Sequence, residues 1–335
     1  MSITVASLGE RALIARLHAR LPPSADYVRI GIGDDAAMVE PERGMQIVLT
    51  TDSLVEGVHF RRDWTAADAI GHKALAVNLS DIAAMGATPR ASLLSLAMPA
   101  DLLLEDFDRL IDGYARLGAA TRTPLVGGNI ARSPGGLIVD VTVVGSVRPR
   151  RVLRRAGARP GDELFVTGAP GMAAAGLALL TDGLDRSGLT SDELACITRH
   201  ERPDPRLRLG RLVGRISAAV AAMDLSDGLS DAASTLAEAA GAGVVVDAAA
   251  IPVHPGVAAV AARRGHSPLD FVLRGGEDYE LAFAVPARRR SRFLAAARRC
   301  GNLPVTCVGR FERAGGAWLD TGGTMSPLPP GFYHF

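Results

Sequence analysis

The sequence predicts an α/β (α+β) chain in two domains, on three observations. Its 335 residues are 48% hydrophobic, enough to bury a sizeable core and longer than one average domain. Short β-prone runs alternate with alanine- and leucine-rich helical stretches. A basic stretch with prolines and glycines, Arg148 to Gly161, interrupts that alternation and sets the domains at 1–148 and 149–335.

Each element has a local reason. Ser7 with Glu10 has the spacing of a capping box for a helix to about Arg20, which Pro22-Pro23 ends. Val28 to Ile32 reads as a short strand, and Ile47 to Thr51 as a strand ending at Asp52. Ala66 to Ala84 is an alanine-rich helix with Asp81 near its end, and Ser92 to Met98 is the next strand. Leu102 to Ala120 is an amphipathic helix with acidic residues outward; Pro124 to Val126 leads into Gly127-Gly128-Asn129, and Leu137 to Val147 is a long β-branched strand.

The second half restarts with a strand, Glu163 to Thr167, a Gly-Ala-Pro-Gly turn and a helix from Met172 to Leu180. That turn has the form of a phosphate cradle, but close helix-to-strand packing is the favoured reading, since neither Gly-x4-Gly-Lys-[Ser/Thr] nor Gly-x-Gly-x-x-Gly occurs. Strands follow at Val244 to Asp247 and Leu281 to Val285, and Arg288 to Arg299 is a basic helical run suited to a solvated face.

Composition narrows the function. A formal net charge of +1 supplies no field to draw in nucleic acid or an anionic membrane. Cys196, Cys300 and Cys307 have neither zinc-site spacing nor disulfide density, so a reducing cytoplasm is expected. No uninterrupted apolar run is long enough to cross a bilayer. Of 37 basic residues only Lys73 is a lysine, which suits a place needing a compact ammonium beside phosphate or carboxylate, although a snorkelling helix residue reads the same way.

Chemistry concentrates in short carboxylate loops. Asp34 and Asp35 follow a glycine pair that lets the backbone turn sharply. Thr50-Thr51-Asp52 sets hydroxyls beside a carboxylate, and Asp81 lies in Asn78-Leu79-Ser80-Asp81. Aspartates gathered this way repel one another unless hard divalent cations sit among them, so magnesium with a polyphosphate is expected. Asp224-Leu225-Ser226-Asp227-Gly228 repeats the chemistry: one helical turn sets Asp224 and Asp227 on one side, with a helix N-cap as the plain alternative. Gly275-Gly276-Glu277-Asp278 couples flexible backbone to an acceptor for an amino-bearing ligand, and His59 is placed to meet a substrate phosphate.

Taken together, GIGDDAA, TTDSLVEGVHF, HKALAVNLSDIAAMGATP, VGGN, RRAGARPGDELFVTG, RHERPDPR, DLSDGLSD, GGEDYEL and GFYHF run in order from Gly31 to Phe335. This series resembles the thiamine-monophosphate kinases, relatives of aminoimidazole ribonucleotide synthetase and selenophosphate synthetase. The resemblance implies a two-domain PurM-like fold, an N-terminal mixed sheet with helices that binds ATP and magnesium, and a C-terminal α/β domain that closes the substrate cleft. It implies direct transfer of the γ-phosphoryl group of ATP to thiamine monophosphate with several Mg2+ ions, in a homodimer; the composition points to a cytoplasmic chain with no nucleic-acid or membrane partner. Carried over by position, Asp35, Thr50, Thr51, Asp52, Asp81, Asp224 and Asp227 become metal-site residues supported by Asp34. Gly128, Asn129, Arg155 and Ser226 fall at ATP positions, and His59, Glu277 and Phe332 at thiamine-phosphate positions.

One departure stands out. The family usually reads Gly-Gly-Asp where this chain has Gly127-Gly128-Asn129, so a ligand remains but its charge is lost. At the chain end Phe332 has Tyr333 beside it, and spacing does not choose which ring stacks on substrate. Selenophosphate synthetase and the hydrogenase-maturation relative need a terminal reactive cysteine, which is absent here. The rivals are an enzyme like aminoimidazole ribonucleotide synthetase and a non-catalytic thiamine-phosphate or nucleotide binder that lost turnover through Asn129.

Overall fold

The computed structural model describes residues 3–301 and 303–332. The chain divides into two compact units, residues up to Ile82 with Thr88–Pro149, and Ala83–Ala87 with Arg150–Phe335. In the first unit, α1 (Glu10–His18) precedes an antiparallel pair, β1 (Val28–Ile30) and β2 (Met38–Val39). Then come β3 (Gln46–Val55), α2 (Ala67–Ala84), β4 (Thr88–Met98), α3 (Leu104–Thr121), β5 (Leu125–Arg132) and β6 (Ile138–Val147).

Strands β3 to β6 form a mixed sheet in the order β3-β6-β4-β5, parallel only between β4 and β5. Period-2 alternation gives the sheet two unlike faces: in β6, Val139, Val141 and Val143 are buried while Asp140, Thr142 and Val144 are half-buried. Helix α2 is apolar on nearly every side and is buried accordingly. Glycines let α3 approach it closely, since a Cβ at Gly71 would lie 1.9 Å from the Leu110 carbonyl oxygen and one at Gly113 1.9 Å from that of Asp68. On the sheet's other face Ile47 and Leu49 remain 63% and 68% exposed.

Two local expectations fail. The Ser7–Glu10 capping box does not form: Gly9 is the N-cap of α1 without a side-chain cap, and the Ser7 hydroxyl donates to the Thr4 carbonyl at 2.6 Å. In α3, Asp108 does not face outward. It accepts from Arg16 at 2.6 Å and pairs with Arg20 at 2.7 Å, both on or just beyond α1. Burial pushes the Asp108 carboxyl up, but the two guanidinium groups outweigh it and hold it below the usual range.

The second unit holds β7 (Asp162–Thr167), α4 (Met172–Thr181), α5 (Ser191–Glu201), α6 (Leu207–Ile216), β8 (Ala221–Asp224) and α7 (Leu229–Ala240). It continues through β9 (Gly243–Asp247), α8 (Pro255–Arg264), α9 (Pro268–Arg274), β10 (Leu281–Pro286), α10 (Arg290–Arg298), β11 (Val305–Glu312), β12 (Gly316–Asp320) and β13 (Met325–Pro327). Its sheet runs β13-β12-β9-β11-β7-β10-β8, with β9 and β12 parallel. Helices cover both faces, so the uninterrupted apolar β10 is buried throughout. One core packs Leu225, Leu229 and Leu236 below the sheet, and the other stacks Phe165 and Phe283 against Phe293 at 5.0 and 5.1 Å. Among the described residues no helix is long and apolar enough to cross a membrane.

Candidate active site

In the first unit the glycine pair Gly31 and Gly33 turns the chain between β1 and β2 and leaves Asp34 and Asp35 exposed, with the Asp35 amide donating to Asp34 Oδ1 at 2.8 Å. This loop walls a cleft of about 980 Å³ together with Gly127 to Ile130 of β5, Leu93 to Ser95 of β4, and Asp140 and Thr142 of β6. Asp34, Asp35, Gly128 and Asn129 are thus brought around one space. Gly128 has to be glycine, because a Cβ there would meet the Leu94 carbonyl oxygen at 1.8 Å. Asn129 lies inside a strand, exposed, rather than in a loop after one.

The triplet Thr50-Thr51-Asp52 also lies inside its strand, because β3 continues to Val55. Alternation therefore splits it. Thr50 donates its hydroxyl to Asp81 Oδ2 on α2, and Asp52 shares that side of β3. Thr51 belongs to the opposite side: its hydroxyl donates to the Val141 carbonyl at 3.1 Å and accepts from Thr142 at 3.1 Å.

That opposite side holds a carboxylate the motif reading passed over. Asp140 Oδ2 accepts from the Ser53 hydroxyl at 2.5 Å. Strand register aligns Asn129 with Ser95, Ser95 with Asp140 and Asp140 with Ser53, so Asp140 and Asn129 stand in one row across the sheet. The signal was available in the polar interruptions Asp140 and Thr142 of an otherwise apolar β-branched strand.

His59 sits in the turn after β3. Its amide donates to the Val55 carbonyl at 3.0 Å, its ring Nδ1 accepts from the Val55 amide at 3.1 Å, and its carbonyl accepts from Lys73 Nζ at 3.1 Å. Lys73 is 1% exposed, which rules out the snorkelling reading.

In the second unit Asp224 ends β8 and is buried, Leu225 to Gly228 form a turn, and α7 starts with Gly228 as N-cap. No helical turn carries Asp224 and Asp227, and neither caps a helix. Three segments instead converge by backbone hydrogen bonds. The Glu277 amide donates to the Ser226 carbonyl at 2.7 Å, the Tyr279 amide to Leu225 at 3.1 Å, and the Phe332 amide to Asp227 at 3.1 Å. Glu277 and Tyr279 take φ of +65° and +50°, a strained conformation for side-chain-bearing residues that these crossing bonds enforce. Phe332 is 47% exposed there, whereas Tyr333 lies outside the described residues. Arg155 is exposed; its charge acts on Asp231, whose carboxyl is nonetheless pushed up by burial and by the neighbouring Asp227.

The remaining acids of this loop are structural. Asp278, fully buried, accepts from the amides of Gly171 at 2.5 Å and Ala173 at 2.9 Å, so the protein's own carboxylate fills the Gly-Ala-Pro-Gly turn at the start of α4. Burial pushes its pKa up to about 7 despite the two amides. Glu280 accepts from Arg206 through both guanidinium arms and from Thr167 at 2.5 Å; burial works against its charge, but Arg206 and Arg199 hold its carboxyl below the usual range. His200 Nδ1 lies 3.2 Å from Glu277 Oε2. Sequence reading recorded the RHERPDPR segment without these pairings, because partners roughly 75 residues apart leave no local spacing signal.

Among the described residues no group of three or more His, Cys, Asp or Glu is assembled to hold a metal ion. What exists are oxygen donors in ones and twos: Asp34 with Asp35, Asp81 with Thr50, and Asp224 near Ser226 and Asp227. Magnesium suits such a set, since it is commonly held by one or two carboxylates with substrate phosphates and water completing the octahedron.

Residues 33–147 match the AIR synthase related protein N-terminal domain and residues 159–318 its C-terminal domain. The thiamine-monophosphate kinase of Salmonella typhimurium (strain LT2) is 40% identical over 306 residues, covering 91% of this chain and 90% of the relative. The crystal structure of thiamine-monophosphate kinase from Stenotrophomonas maltophilia K279a aligns with a TM-score of 0.83 at 36% identity, over 97% of this chain and 99% of that one. A second solved structure, AaThiL complexed with AMPPCP and TMP, aligns with a TM-score of 0.78 at 35% identity over 100% of both chains. The fold is the two-domain PurM-like one, a mixed N-terminal sheet with helices followed by an α/β unit.

Proposed function

Because the chain belongs to the thiamine-monophosphate kinase family, we propose that it moves the γ-phosphoryl group of ATP directly onto the phosphate of thiamine monophosphate, giving thiamine diphosphate. The observation that carries this reading is the pair of constellations built from the family's own motifs: the cleft of Asp34, Asp35, Gly128 and Asn129, and the crossing of Ser226–Asp227, Glu277 and Phe332. The relative solved with AMPPCP and TMP supports the same two ligands for this chain.

The chemistry asks for charge control more than for covalent help, because an anionic phosphate must attack another in line. Magnesium ions bound with the nucleotide would neutralise phosphate charge and polarise the transferred group. Asp35, Thr50, Thr51, Asp52, Asp81, Asp224 and Asp227, with Asp34 in support and Asn129 through its carbonyl, are the proposed holders of those ions. Gly128 lines the cleft on the nucleotide side, and Arg155 and Ser226 contribute a cation and a hydroxyl to the nucleotide. His59 donates to the substrate phosphate, Glu277 accepts from the aminopyrimidine, and the Phe332 ring offers an apolar face to the heterocycle. Residues 1–148 carry most of the metal and nucleotide groups under this reading, and 149–335 supply the others.

Asn129 removes one formal charge from this set. Asp140, in the same row of the sheet, is the carboxylate proposed to offset that loss. We assign the chain to the cytoplasm and to a homodimer, the latter because Ile47 and Leu49 leave an apolar sheet face open. The decisive experiment is turnover of thiamine monophosphate with ATP and magnesium by the native chain and by Asn129→Asp. Thiamine diphosphate from the native chain is the expected result. No product from the native chain, with recovery in the variant, favours the binder reading that Asn129 raises.

A further inference from the structure

We propose that Lys73 is a positioning residue that fixes His59 as an Nε2–H hydrogen-bond donor to the phosphate of the acceptor substrate. This rests on the reading of His59 as a substrate contact given above.

The turn that carries His59 is closed on itself. Gly57, with φ of +87°, donates its amide to the Phe60 carbonyl at 2.8 Å, and the Val58 and His59 amides both reach the Val55 carbonyl. Glu56 anchors the flank by accepting from the Leu137 amide at 2.7 Å and from Arg62 at 2.8 Å. His59 is thereby tied at its amide, its ring Nδ1 and its carbonyl.

The ring bond decides the chemistry. A nitrogen that accepts from a backbone amide carries no proton, so the Val55 amide excludes hydrogen from Nδ1 and leaves Nε2 as the ring's N–H donor. A phosphate oxygen is an acceptor and needs such a donor. Lys73 holds the other end of the residue: on the buried helix α2 its Nζ donates to the His59 carbonyl at 3.1 Å, which stops the peptide from rotating and carrying the ring with it. Arginine does not replace it, because a planar guanidinium is too large for a site closed around a compact ammonium. This accounts for a single lysine among 37 basic residues.

The test combines a spectrum with kinetics. In ring-¹⁵N-histidine protein at pH 7.5, with His59 identified through His59→Asn, long-range ¹H–¹⁵N correlation is expected to show the Nε2–H tautomer. Lys73→Met is expected to raise KM for thiamine monophosphate about tenfold, the worth of one well-placed hydrogen bond, with KM for ATP within about twofold, and to average the two ring-nitrogen signals. Lys73→Gln, which keeps a donor, is expected to recover most of that loss, and Lys73→Arg is not. An Nδ1–H tautomer in the native chain overturns the proposal whether or not any variant folds, as does a folded Lys73→Met with unchanged KM and an unchanged ring spectrum. A native chain that turns over no thiamine monophosphate overturns the substrate reading instead, while the spectra still decide whether Lys73 holds the ring.

Discussion

The acids of the Gly31–Ala37 loop and those of the Gly275–Glu280 loop look alike in sequence, glycines followed by adjacent carboxylates, yet the fold uses them in opposite ways. Asp34 and Asp35 are exposed on a cleft wall, and the hydrogen bond between them is local, from the Asp35 amide to the neighbouring Asp34 carboxylate. Asp278 and Glu280 are buried and consumed by the protein itself, one at the N-terminus of α4 and the other in a clamp with Arg206, Arg199 and Thr167. Glu277, between Gly276 and Asp278 in a left-handed backbone, instead sets its carboxylate 3.2 Å from His200 Nδ1. A count of acids is therefore a poor count of ligands, because Asp278 and Glu280 are already taken by partners inside the fold.

That contrast breaks most sharply under substitution. Asp52→Asn in the first unit is expected to lower turnover by at least about a hundredfold, as loss of a ligand to a magnesium ion that stabilises the transition state does, while the thermal unfolding midpoint moves little. Near-normal activity at low magnesium would show that Asp52 is not a principal ligand. Arg206→Met in the second unit is expected to do the reverse. It strands the buried Glu280, costing about 3–5 kcal/mol of stability, and denaturant unfolding of the variant checks it.

The Asp278 carboxyl sharpens the comparison through pH. Its folded pKa, about 7, lies above the ordinary 3.8, so the folded state favours the protonated form and loses stability as pH rises from about 4 through 7. Thermal midpoints of the native chain measured between pH 5 and 8 should fall with a slope that Asp278→Asn removes. Glu280 has the opposite sign, its stabilising effect present above the ordinary carboxylate range and lost as pH falls below it. The smallest expected effect is on assembly: Leu49→Lys on the open sheet face should shift sedimentation toward the monomer without altering the fold. An unchanged sedimentation coefficient removes that face from the proposed dimer.

Much of the candidate site was legible in the chain because its signals are local. Glycines beside aspartates announce sharp turns with presented carboxylates, and the exposed Asp34 and Asp35 follow from that alone, whereas the helical turn expected for Asp224 and Asp227 does not form. The β-branched and alanine-rich runs gave strands and helices near their observed places, since side-chain period and propensity act over a few residues. Their ends were less secure. β3 runs on to Val55 because ten register pairs with β6 outlast the local polar signal at Asp52, and Asp108 turned inward because Arg16 and Arg20 wait there.

What the sequence by itself determined is the inventory and its order: the oxygen-rich loops, the single lysine, the asparagine at position 129, and a family resemblance spanning nearly the whole chain. What only the tertiary structure decided is pairing. Asp140 joined Asn129 through strand register, Lys73 met His59 across a helix and a turn, and Asp278 was taken by α4. The Lys73–His59 and Gly171–Asp278 bonds join residues 14 and 107 apart in sequence. Chain connectivity carries no local record of them, because they are set by how buried surfaces and unsatisfied amides are shared once the chain is packed.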